Sequence, residues 1–191
     1  MADVNEEIAR LFFENRDFLV RTNVKYWVKG EKGIGGDSDV DLVAVNLHPD
    51  RINPPKNFIL KTDDLKGIEY AAIEVKGWHT EAFTPSLIKT APRIFNFIRP
   101  EADKKIKEVI QTAHYKKILV IPTLTKNEEK RKEAIKMLSQ KGIDHIIEFE
   151  TIIDDIYERV EQNKNYNSEA LQTMRLLKIY MRIIPPLMFD S

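Results

Sequence analysis

The sequence predicts one α/β domain, a central mixed sheet with helices packed on its faces. Three observations predict it. Val40–Val45 contains Leu42, Val43, Ala44 and Val45 in a row, so neither side of the run is polar and a strand covered on both faces is expected. Beyond about residue 100, stretches of helical period alternate with short apolar strands. The length, 191 residues, suits one domain with at most a small appendage.

The elements follow in order. Residues 5–16 place Ile8, Leu11, Phe12 and Asn15 on one stripe at helical spacing, with Asp3 or Asn5 able to cap the start. Val24–Val28 reads as a strand, and the glycines of GEKGIGGDS permit the turn that returns the chain to Val40–Val45. Residues 46–66 hold three prolines and no sustained period, so they read as a long excursion before a third strand at Glu69–Val75. Helical spacing returns over 86–98, with Pro92 an expected irregularity, and again over the lysine-rich 101–114. Lys117–Ile121 is a short apolar strand. Asn127 can cap a charged helix that Gly142 closes. Ile143–Phe149 is a further strand, and helices are expected at Thr151–Val160 and Ser168–Met181. The composition breaks most visibly at Asn163–Asn167, which divides the expectation into a domain at 1–162 and a C-terminal helical extension at 163–191. The apolar ending IIPPLMF makes a homodimer through the C-terminal helix the expected self-association.

Composition excludes several chemistries. The absence of cysteine removes thiolate zinc sites, cysteine nucleophiles and disulfide frameworks together. The amphipathic acidic start is not a signal peptide, and no apolar run approaches the ~18 residues that span a bilayer. The expectation is a cytoplasmic protein without a membrane partner. Thirty basic residues balance 30 acidic ones, so nucleic-acid binding would need a local basic face. The GEKGIGG segment lacks the spacing of a phosphate-binding glycine loop.

Two segments carry candidate chemistry, SDVDLVAV at 38–45 and AAIEVKGW at 71–78. Strand alternation puts Asp39 and Asp41 on the face of Val43 and Val45, and it puts Glu74 and Lys76 together, opposite Ile73 and Val75. Carboxylates set among apolar strand residues are costly unless paired or bound to metal. Two such carboxylates and an ammonium are what metal-supported phosphodiester hydrolysis uses. Either segment alone is equally explained by a solvated edge stripe or a strand start. It is the ordered combination of acidic helix, strand, D-L-V-A and E-V-K that carries the reading.

That ordered set resembles the PD-(D/E)xK nuclease superfamily, especially its archaeal Holliday-junction-resolvase and restriction-endonuclease-like branches, over about residues 5–122. The resemblance implies a restriction-endonuclease-like α/β fold and Mg²⁺-dependent cleavage of DNA, with Mn²⁺ as substitute. Asp41 and Glu74 would ligate the metal, the Val75 carbonyl would be a third ligand, and Lys76 would orient the attacking water. The helical acidic residue of the family would match Glu7, which lies nearer the apolar stripe than Glu6 does. This chain departs from the pattern in its long 46–66 excursion and in Val40, which stands where the family motif has proline. Asp39 is read as a loop-edge carboxylate or accessory ligand. Lys89 and Arg93 are phosphate contacts or a solvated helix face. The lysine-rich segments at 104–107, 116–117 and 130–132 are read as solvated faces, and His79 as incidental. Trp27 and Trp78 are expected in the core or lining the cleft. The alternative function is a DNA- or protein-binding module on the same fold that does not cut.

Overall fold

The structure, a computed structural model, describes residues 4–28, 35–77 and 82–180. Trp78, His79 and the IIPPLMF segment lie outside these residues. A five-stranded mixed sheet runs in the order β1 (Phe18–Val28), β2 (Gly36–Asn46), β3 (Tyr70–Val75), β4 (Lys116–Ile121), β5 (His145–Glu148). The first three strands are antiparallel, and β3, β4 and β5 are parallel. On one face lie α1 (Val4–Glu14), α5 (Phe149–Arg159) and α6 (Glu169–Tyr180), built around Phe12, Phe13, Leu42, Ile73, Ile118, Ile152 and Leu171. The opposite face carries α2 (Pro85–Thr90), a 3-10 turn at Pro92–Ile98, α3 (Pro100–Ile110) and α4 (Glu128–Gln140), around Val43, Ala72, Phe97, Ile106, Leu119 and Leu138. No helix among the described residues is long and apolar enough to cross a membrane.

Local signals act as expected at several ends. Thr84 and Asn127 cap α2 and α4 through their side-chain oxygens, and Gly142 takes the left-handed conformation, φ +93°, just after α4. Pro92 ends the helical run, because its ring cannot continue the α-helical ladder, and the chain goes on as a 3-10 turn. The 46–66 excursion crosses to the far edge of the sheet. There Leu60 donates to the Ile146 carbonyl at 2.8 Å and Ile146 donates back to Phe58 at 2.8 Å. At the C-terminal side, Lys178 of α6 donates from Nζ to the carbonyls of Tyr157, Glu158 and Val160 at 2.7–2.9 Å, closing the end of α5.

The first strand differs from expectation. It begins at Phe18 instead of Val24, and the β1–β2 ladder runs from Phe18↔Asn46 to Val28↔Gly36. The ribbon also exchanges faces midway. Phe18, Leu42 and Ala44 pack with the α1 side, whereas Val24, Tyr26 and Val40 pack with the α3 side. The exchange occurs at Asn23, whose φ is +51°, opposite Asp41, and both residues fall where the ladder skips a pair. Asp39 and Asp41 therefore do not simply share the face of Val43 and Val45, as uninterrupted alternation requires. Trp27 is another correction. It lies 58 % exposed on the ribbon, neither in the core nor in a cleft wall.

Candidate active site

Regular pairing between β2 and β3 stops at Leu42↔Ile73. Past that point β2 continues with β1, while β3 continues with β4 through Val75↔Val120 and the Lys76 N–H to Val120 carbonyl bond at 2.9 Å. The two strands fork. At the fork Asp41 substitutes a side chain for the missing strand partner, since its Oδ2 accepts the Val75 N–H at 2.6 Å. The face exchange at Asp41 lets its carboxylate turn along the sheet towards β3. In an extended strand the N–H and C=O of one residue point to the same side. The Val75 carbonyl therefore also faces the fork.

On β3, alternation holds as expected. Ile73 and Val75 pack with the α1 side, and Glu74 and Lys76 share the opposite face with Ala72. Lys76 Nζ lies 2.5 Å from Glu74 Oε1 and 3.9 Å from Asp41 Oδ2, so the three side chains meet. Asp41 and Glu74 are only 7 % and 5 % exposed. One ammonium thus serves two buried carboxylates. Burial first, and the Asp41 charge second, push the Glu74 carboxyl up to about 8, against the opposing pull of Lys76. Burial lowers Lys76, but Glu74 and Asp41 together outweigh it and hold the ammonium above its ordinary range. The second Glu74 oxygen, Oε2, is buried without a hydrogen-bond partner.

This donor set is all oxygen: two carboxylates and a strand carbonyl. It fits a hard divalent cation such as Mg²⁺, which keeps several waters and needs only one or two carboxylates from the protein. The orphaned Oε2 is the atom such a cation would satisfy. Among the described residues no group of three or more His, Cys, Asp or Glu side chains gathers as a cage.

The two acidic residues in the first turn of α1 sit differently. Glu7 is held by Arg10, with a guanidinium to carboxylate distance of 2.8 Å, and it lines a groove against α6. The charge that reaches Lys76 from α1 is that of Glu6. The buried face of α1 is set by Asn5, Ala9, Leu11, Phe12 and Phe13, whereas Asn15 of the expected stripe is exposed. At about 100° per residue, Glu6 borders that face and Glu7 points away from it. Asn5, read from the sequence only as a candidate helix cap, takes a different part. It is buried, and its Nδ2 approaches the Gly77 carbonyl at 3.5 Å. A Cβ on Gly77 would lie 2.1 Å from the Asn5 carboxamide, so the glycine after Lys76 lets the start of α1 dock on the end of β3. A glycine directly after E-V-K was the available signal.

The charge of Asp39 reaches both Glu74 and Tyr26, which puts it at the site's margin. Lys89 is exposed and lies 3.5 Å from Glu133, and Arg93 is exposed. Lys105, Lys107 and Lys132 each pair with a carboxylate on their own helix. No protein-family model, no curated protein and no solved structure matches the chain.

Proposed function

We propose that the protein is a divalent-metal-dependent nuclease of the restriction-endonuclease-like, PD-(D/E)xK type, hydrolysing phosphodiester bonds in DNA. One observation carries this: Asp41, Glu74 and Lys76 converge at a strand fork, with Lys76 within 2.5 Å and 3.9 Å of the two carboxylates. The order of strands, with the acidic pair on the second and third, supports the same reading.

Asp41, Glu74 and the Val75 carbonyl would hold Mg²⁺, or Mn²⁺ in its place. When bound, the cation supplies charge stabilisation at the phosphate oxygens. The protein's own groups do the rest. Lys76 keeps its proton, so it can orient a water oxygen and offset phosphate charge. Glu74, whose carboxyl burial and the Asp41 charge push up, would hold a cation through its ionised form. Glu6, carried to the fork by the Asn5–Gly77 contact, adds a further carboxylate beside Lys76.

DNA is the proposed partner, gripped through local basic residues, of which Arg93 and Lys104 are exposed. Self-association is proposed on α6, where Leu176 and Leu177 are each 43 % exposed and Tyr180 is 63 % exposed.

The test is cleavage of linear, nicked, flapped and branched DNA in Mg²⁺ or Mn²⁺, with Ca²⁺ as a control that permits binding. Metal-dependent cutting that Lys76→Ala abolishes is the expected result. Purified protein that cuts none of these substrates in either active metal, yet binds them with a steep salt dependence, would make it a binding module.

A further inference from the structure

Among the described residues, three buried side-chain atoms lack a hydrogen-bond partner: Tyr26 Oη, Glu74 Oε2 and His145 Nε2. The histidine belongs to the far edge of the sheet, where its Nδ1 contacts the Asn57 carbonyl at 2.9 Å. The other two belong together. Tyr26 is 7 % exposed and packs on the α3 side of the sheet, the face that Glu74 and Lys76 also take. It sits on the part of the β1–β2 ribbon that runs past the fork, paired with Ser38, three residues before Asp41. Ser38 is a close polar neighbour, yet it does not reach hydrogen-bonding geometry. Burial, together with the charges of Glu74 and Asp39, pushes the phenol up, so the hydroxyl keeps its proton and remains a donor. A phenylalanine would fill the same apolar space beside Val24 and Val40 without stranding a polar atom.

We propose that Tyr26 is a positioning residue for Glu74, its O–H donating across one water to the carboxylate oxygen that Lys76 does not hold, and fixing how that carboxylate faces the fork. This rests on the reading of Glu74 as a metal-holding group. Hydrogen bonds of this kind, from a neighbouring side chain to a ligating carboxylate, set ligand orientation and typically govern metal affinity by about 10–100-fold.

Tyr26→Phe removes the hydroxyl and nothing else. The first experiment is a metal-free double-mutant cycle of Tyr26→Phe and Glu74→Gln, followed by melting temperature. The effects should be non-additive by about 2 °C or more. The second is a Mn²⁺ titration of the melting temperature, in which Tyr26→Phe should raise the half-saturating concentration about 10-fold or more. An additive cycle overturns the pairing. So does a Tyr26→Phe protein that no longer folds, because the hydroxyl would then be part of the scaffold. An unchanged Mn²⁺ titration beside a responsive wild type overturns the positioning role alone. A wild type without any Mn²⁺ response sinks the nuclease reading, while the metal-free cycle still decides whether Tyr26 and Glu74 are paired.

Discussion

Two buried charge clusters lie at different places in this molecule, and their stoichiometry is inverted. Behind α1, Asp155 is one carboxylate between two guanidinium groups. Arg16 contacts both of its oxygens, and Arg159 donates from Nε at 3.1 Å. At the fork, one ammonium stands between two carboxylates, and one carboxylate oxygen has no partner. The first cluster leaves no carboxylate oxygen unmatched and ties the end of α1 to α5. Among the described residues, the second sets one ammonium against two carboxylates and leaves Glu74 Oε2 unmatched. Burial alone does not separate scaffold from site, since Asp155 and Glu74 are equally hidden, at 6 % and 5 %. What separates them is whether every carboxylate oxygen already has a partner.

The largest effect expected from this contrast is on stability. Asp155→Ala should cost about 3–5 kcal/mol, because it leaves the buried Arg16 uncompensated. Chemical denaturation measures this, and the Mn²⁺ response of the folded protein should survive. Equal or greater stability in that variant would mean that the Asp155 cluster holds nothing together. Lys76→Ala should do the opposite, lowering cleavage by about 10²–10³-fold while the protein stays folded. Single-turnover rates with Mn²⁺ test it, and a rate within a few fold of wild type would remove Lys76 from the chemistry.

Next comes pH. The folded-state value for Glu74 is raised to about 8 from an ordinary 4.5. The folded state therefore holds a proton that the unfolded chain has released. Its stabilising contribution is complete below the ordinary value and is lost as pH rises towards 8, by at most about 1.4 kcal/mol per pH unit. Metal-free melts should fall across that window, and the slope should flatten in Glu74→Gln. Mn²⁺ affinity should climb over the same range, by up to about tenfold per unit, as binding displaces the proton. A pH-independent affinity would contradict a protonated Glu74.

The smallest effect sharpens the role of Asp41. Asparagine keeps an oxygen for the Val75 N–H but removes the negative charge, so Asp41→Asn should leave metal-free stability unchanged or slightly higher. Asp41→Ala strands that buried N–H and should cost about 1–3 kcal/mol. Neither variant should show much of the wild-type melting-temperature gain with Mn²⁺. An Asp41→Asn protein that is clearly less stable without metal, with the metal response intact, would make Asp41 structural.

Much of this was legible in the sequence wherever local chemistry decides the outcome. Pro92 broke its helix, Asn127 and Gly142 bounded another, and alternation on β3 put Glu74 beside Lys76. What escaped depends on partners distant in sequence. Phe18–Asn23 reads weakly because it lies at the sheet edge with Arg21, Thr22 and Asn23 exposed, and it is a strand because β2 pairs with it. The face exchange at Asn23 and Asp41 requires a left-handed residue opposite a skipped pair, and neither strand signals that alone. The expected α1 stripe runs through Asn15, which is exposed. The buried face is instead turned towards Asn5, which docks on a glycine 72 residues away.

The contact of Lys178 with the end of α5 bears on where this chain could be divided. A cut at Gln162, where the composition breaks, would take away the ammonium that three successive-turn carbonyls share, and with it Arg175, whose Nε donates to the Gln162 carbonyl at 2.7 Å. The last described helix is therefore the plug in the open end of its neighbour. Leu171 on the same helix completes the core beneath α1, the helix whose Asn5 meets Gly77, next to Lys76. A shortened protein would lose footing under its candidate site although no residue of that site had been removed.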